Sequence, residues 1–289
     1  MLTVDFTVAK VRAQASFADL APHLPDRFSV WSTDESAWVP GPASSAQQLT
    51  DWLDSATGLD VPVRAVLGFC GGASLAAALA ARLATRGPAP MLVLFDPVTV
   101  GSRTMIDQTL DSMHRLGSFA VSDNGIDNDS EDGDLDQLAA RLAQQYAHAA
   151  AVVGRERRIP AVIVDQLCQR VAANLRFLTL ASVAWSAPRR APDLVVLSRE
   201  HTAPIEALTG SPAPTEPTGN SAPTDAVAGN PTAGDELTGS AAPSASHAAA
   251  PPAPDDPDGR VVRLPVAQND LLADANAAAA VARLLAGVS

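Results

Sequence analysis

The chain has 289 residues, 47% of them hydrophobic, and a formal net charge of −12. That length allows one large α/β domain, or two small ones, with a sizeable core. An acidic chain with a single lysine, Lys10, and no basic stripe excludes an electrostatic nucleic-acid binder, and no apolar run reaches bilayer-spanning length. Two lone cysteines, Cys70 and Cys168, do not make a disulfide framework. A reducing, cytoplasmic setting is therefore expected, and no export signal is read at the N-terminus.

In chain order, residues 2–8 alternate and predict a strand. Residues 15–24 predict a short helix, and 27–31 a second strand. Ser44 is placed as N-cap of a helix over 46–55. An apolar, β-branched run over 63–67 predicts the next strand, followed by an Ala/Leu-rich helix to about residue 84 that Gly87-Pro88 stops. Residues 91–95 (MLVLF) form a wholly apolar strand ending at Asp96-Pro97. Apolar strands separated by helices argue for a parallel sheet covered on both faces. Residues 98–190 read as mostly helical, with helices over 135–153 and 162–184. Strands are expected again at 193–198 and 260–265, with a closing helix over 274–286. Residues 204–258 are low-complexity Ala, Pro, Thr, Gly and Ser. With few groups to bury they are expected to be a disordered insertion inside one domain.

The most informative stretch is VRAVLGFCGGASLAAALAARL, residues 63–83. Strand, tight glycine-flanked turn and helix together make a nucleophile elbow. Cys70 stands at its apex, where serine is usual. The turn is expected to expose the thiol, and the free N–H groups at the start of the helix to favour thiolate. The plain alternative is a small buried cysteine, which packs well. Glycines 68, 71 and 72 argue against it, because no packing need for them is visible in the sequence.

The order of elements, GFCGG followed by LAAALAARL, and LVLFDP together resemble the α/β-hydrolase thioesterases of nonribosomal peptide and polyketide assembly lines. The resemblance covers the whole chain except 204–258. It implies a mostly parallel sheet with helices on both faces, and residues 98–190 as a helical lid over an acyl pocket. It also implies a carrier protein as partner, presenting the substrate as a phosphopantetheine-bound acyl or peptidyl thioester. Asp96 matches the place of the triad acid. Gly71, with an N–H from about Ala9, matches the oxyanion donors. Two departures stand out. The stretch FTVAKVRA, where the family has a glycine-containing loop, has no glycine. VAQNDLL puts Asn269 where the family carries its histidine.

Asparagine cannot take a proton from a nucleophile or from water. Another histidine is needed, and His201, following the strand at 193–198, is the best substitute, because sites gather at the carboxyl ends of parallel strands. The alternative for His201 is a loop residue opening the insertion, and for Asp96 a strand-end turn residue. The remaining histidines fall on an early helix, in the lid or in the low-complexity tract. A calcium loop at 128–139 lacks its anchoring carboxylate, since Ala139 occupies that place. No metal spacing and no resident cofactor are read. Two functions follow: a cysteine thioester hydrolase or acyltransferase in natural-product biosynthesis, or a pseudo-thioesterase that binds an acyl group or a partner protein.

Overall fold

A computed structural model of the chain describes residues 1–4, 15–26, 28–32, 43–58, 61–117, 134–202 and 260–287. Six strands form one sheet: β1 (Leu2–Val4), β2 (Trp31–Ser32), β3 (Ala65–Phe69), β4 (Met91–Phe95), β5 (Leu194–Leu197) and β6 (Val261–Arg263). Their spatial order is β2-β1-β3-β4-β5-β6, and every neighbouring pair is parallel. Among the described residues seven α-helices accompany them: α1 (Phe17–Leu20), α2 (Ser45–Ala56), α3 (Gly72–Ala84), α4 (Ser102–Leu116), α5 (Leu135–Glu156), α6 (Ala161–Ser186) and α7 (Ala275–Ala286). The fold is α/β, built on a parallel sheet with helices on both faces.

The period of two along each strand divides the core into two layers. Val66, Leu92 and Leu94 face α2, α3 and the α4–α6 helices. Ala65, Leu67, Phe69, Val93 and Phe95 face α1 and α7 on the other side. All five residues of β3 are buried, as a central strand covered on both faces demands. Helix α3 is buried from Gly72 through Ala80. Its alanines let it lie close against the sheet, and an all-round apolar helix can only be stable when covered.

Local signals placed most elements. Ser44 caps α2, accepting from the Gln47 backbone N–H at 3.3 Å, and Asp274 caps α7 from Asn276 and Ala277. β4 falls on the expected residues. Two strands start two or more residues later than the sequence suggests. Residues 63–64 precede the ladder because β4 begins pairing with β3 only at Met91, so β3 runs from Ala65 to Phe69. Phe28 still closes a turn on the Pro25 carbonyl, so β2 begins at Trp31 and not at residue 27. The proposed insertion at 204–258 and the acidic stretch 118–133 lie outside the described residues. So does the part of the first strand beyond Val4.

Helix α6 behaves differently along its length. Residues 175–181 are buried against α3, where the Ser74 hydroxyl donates to the Ala181 carbonyl at 2.7 Å. At its start Val162 and Ile163 are 59% and 42% exposed. Arg176, nearly buried, ties α6 to its neighbours: it donates to Ser45 Oγ at 2.8 Å and to Asp136 Oδ1 at 2.5 Å. Among the described residues no helix is long and apolar enough to cross a membrane.

Candidate active site

The sheet order reverses between β1 and β3, since the chain leaves β1 toward one edge and continues from β3 toward the other. In parallel sheets a crevice opens at that point, outside the carboxyl ends of the strands. Cys70 is the first residue past β3, beside β1. Its φ is +52°, a left-handed conformation that a side-chain-bearing residue adopts only under constraint. The constraint is visible in three hydrogen bonds. The Cys70 N–H donates to the Phe95 carbonyl at 2.9 Å, and the Cys70 carbonyl accepts from Ala73 N–H at 3.1 Å and from Val98 N–H at 3.4 Å. The elbow is thus stitched to β4, to its own helix and to the chain beyond Asp96.

Gly68 and Gly71 have packing reasons that the sequence did not reveal. A Cβ on Gly68 would lie 2.6 Å from the Ala76 Cβ and 2.9 Å from the Ala73 Cα, so only glycine lets α3 cross β3 this closely. A Cβ on Gly71 would press on Val100 at 3.2 Å, under Phe177 and Leu178 of α6. Gly68→Ala is expected to cost about 2 kcal/mol or more, because backbone, and not a flexible side-chain tip, must move. The check is a urea melt, with an unshifted midpoint contradicting it.

Asp96 closes β4 with φ +40°, a second strained strand end. Its side chain is buried at 1% exposure. Oδ1 accepts from the Ser198 backbone N–H at 2.7 Å and faces His201 Nδ1 at 3.6 Å. The His201 imidazole is only 3% exposed. Adjacent strands β4 and β5 deliver these two side chains to one place. Asp96 Oδ2, Ser198 Oγ and His201 Nε2 are buried without a partner among the described residues. Unpaired buried polar atoms are rare and costly outside functional sites. With Nδ1 turned to the carboxylate, Nε2 is the nitrogen left to accept a proton.

The thiol itself departs from expectation. Burial pushes Cys70 up to about 11, the Asp96 charge adds to the rise, and the Gly71 N–H pulls the other way without winning. The elbow therefore holds a neutral thiol at pH 7. The expected thiolate preference is overturned by desolvation, since a partly buried sulfur loses more hydration on ionising than one N–H returns.

Asn269 is exposed, and its backbone carbonyl is taken by the Ala15 N–H at 2.8 Å. Ala9 lies outside the described residues. Among the described residues no group of three or more His, Cys, Asp or Glu side chains is arranged to hold a metal. A cavity of about 230 Å³, lined by Met1, Phe28, Trp31, Val63 and Arg64, opens at the amino ends of the strands, away from Cys70.

Three solved structures are similar to the chain. One is the wild-type Vlm2 thioesterase domain, at 16% identity over 98% of this chain and 91% of that one, with a TM-score of 0.41. Another is a holo four-domain nonribosomal peptide synthetase bound to AMP and glycine. It is 10% identical over 99% of this chain but only 19% of its own length, with a TM-score of 0.46. A third is the Vlm2 thioesterase domain with genetically encoded 2,3-diaminopropionic acid bound with a tetradepsipeptide. It is 18% identical over 72% and 76% of the two chains, with a TM-score of 0.35. No TM-score reaches 0.5, so these likenesses assign no residue a role. No family model and no curated protein matches the chain.

Two features of the site were invisible in residue type. The Ser198 contact uses a backbone N–H, which any residue offers. Arg263 ends the apolar strand β6 and donates to the carbonyls of the turn that carries His201. A charged residue closing an apolar strand is the one sequence signal that could have marked it.

Proposed function

We propose that the chain is a thioesterase-like hydrolase or acyltransferase that works on carrier-bound acyl or peptidyl thioesters through Cys70. One observation carries this reading: a strained cysteine at the switch point of a parallel sheet, with a buried carboxylate–imidazole pair at the neighbouring strand ends. In the first step His201 Nε2, which bonds no described residue in this structure, turns to the Cys70 thiol and takes its proton as Sγ attacks the thioester carbonyl. The Sγ–carbon bond forms, the bond from carbon to the carrier thiol breaks, and the imidazolium protonates the departing thiolate. Asp96 faces Nδ1 at 3.6 Å and its charge stabilises the imidazolium. The Gly71 N–H supports the oxyanion, joined by an N–H from the segment around Ala9. Exchange of one thioester for another is nearly thermoneutral, so the acyl-cysteine can pass to water, with Nε2 again as base, or to a hydroxyl or amine. Residues 98–190 would serve as the lid over the acyl chain.

The high position of the Cys70 thiol and the exposed Asn269 favour a second reading, a pseudo-thioesterase that binds an acyl group or a carrier domain without turnover. Intact-mass analysis during incubation with a short acyl N-acetylcysteamine thioester separates the two. The first reading expects one acyl adduct on Cys70 that forms and then decays with release of free acid or ester. An adduct that never decays, or none at all, supports the second.

A further inference from the structure

The turn that carries His201 is held from β6. The β5–β6 register sets Arg263 directly opposite Leu197, the residue before the turn. From there Arg263 Nη1 donates to the Ser198 carbonyl at 3.3 Å and to the His201 carbonyl at 3.0 Å. Within the turn the His201 N–H reaches the Ser198 carbonyl at only 3.4 Å, a weak closure. Two further bonds fasten the turn to the segment after β6: the Arg199 N–H to the Val266 carbonyl at 3.0 Å, and the Gln268 N–H to Glu200 Oε2 at 3.2 Å. These fix its two central residues. Among the described residues Arg263 alone bridges its first and last carbonyls.

Both ends of that bridge matter for Asp96. Ser198 supplies the N–H bonded to Asp96 Oδ1, and His201 supplies the imidazole facing the same oxygen. We propose that Arg263 is a positioning residue, clamping the 198–201 turn so that Ser198 N–H and His201 Nδ1 converge on Asp96 Oδ1. This rests on the reading of His201 as the base. Without the clamp the two ends of the turn are joined to each other only by its own 3.4 Å bond, and the imidazole leaves its single orientation. A single nitrogen, Nη1, spans both carbonyls, so a lysine ammonium of similar reach can supply those two bonds.

The test uses the full chain with ¹⁵N-labelled histidine. The His201 ring signals are assigned by their loss in His201→Gln. Arg263→Met keeps length and removes the donors. It is expected to shift the His201 ring-nitrogen signals toward mixed tautomers. It should also lower kcat about 10- to 100-fold with KM within about twofold, the penalty of a base misplaced by about 1 Å. Arg263→Lys should return both signals and kcat most of the way. His201 signals identical in wild type and Arg263→Met overturn the proposal. So does a loss of kcat that only tracks the folded fraction. Should Arg263→Met fail to fold, Arg263→Gln is read by the same signals. Unfolding of both variants overturns the proposal, because Arg263 then supports the core and not the turn. A wild type with no turnover defeats the thioesterase reading, while the nitrogen signals still decide the role of Arg263.

Discussion

On the proposed function, Cys70→Ala is expected to reduce kcat/KM on an acyl thioester by about 10³-fold or more. Removing an attacking atom removes the covalent route entirely, so the residual rate is only what binding and oxyanion contacts provide. The fold should survive, since the sulfur is partly buried and alanine occupies less of the same space. Its pH behaviour is a second signature. Burial and Asp96 put the thiol at about 11, so the thiolate fraction grows about tenfold per pH unit from 7 to beyond 10. Iodoacetamide labelling of a Cys168→Ser background should climb through that range with no plateau near the ordinary thiol value. Asp96→Asn deletes the repelling charge and should move the curve to lower pH. The same shift makes the folded state lose stability as pH rises from about 9 toward 11, because the unfolded thiol ionises first. A labelling curve that levels at pH 8–9 would show that the sulfur is hydrated and the site differently built.

His201→Gln is expected to lower kcat by about 10²- to 10⁴-fold with KM nearly unchanged, the usual range for losing a general base. The reason is the protonation state of the nucleophile. A thiol at about 11 supplies almost no thiolate at pH 7, so turnover depends on proton transfer during attack. The buried pair at 3.6 Å is the only arrangement among the described residues that brings a histidine and a carboxylate together. Asp96→Asn should fall in the same direction. Asn269→Ala should change turnover less than about twofold, because that side chain is exposed. Comparing kcat of His201→Gln and Asn269→Ala decides the point. A large loss in Asn269→Ala, with His201→Gln intact, would remove His201 as the base and place Asn269 in the site.

The elements near the site were legible because their causes are local. Ser44 caps α2 with its own side chain. The alternating faces of β3 and β4 follow from a period of two. The elbow at Cys70 needed only an apolar strand, a glycine turn and an Ala/Leu helix in succession. Gly68 was legible as a glycine of the elbow but not for its reason, which is the crossing distance of α3 over β3.

The amino-acid order alone determined that a parallel α/β sheet forms and that a cysteine tops a sharp turn at a strand end. It also placed Asp96 and His201 each just beyond a strand. Only the tertiary structure decided that these two meet, because the β4–β5 pairing joins residues about a hundred positions apart. It also decided the charge state of the thiol, which depends on how much water the packed chain leaves around the sulfur. Propensity and capping act over a few residues, whereas desolvation and convergence on one carboxylate oxygen exist only once distant strands lie side by side.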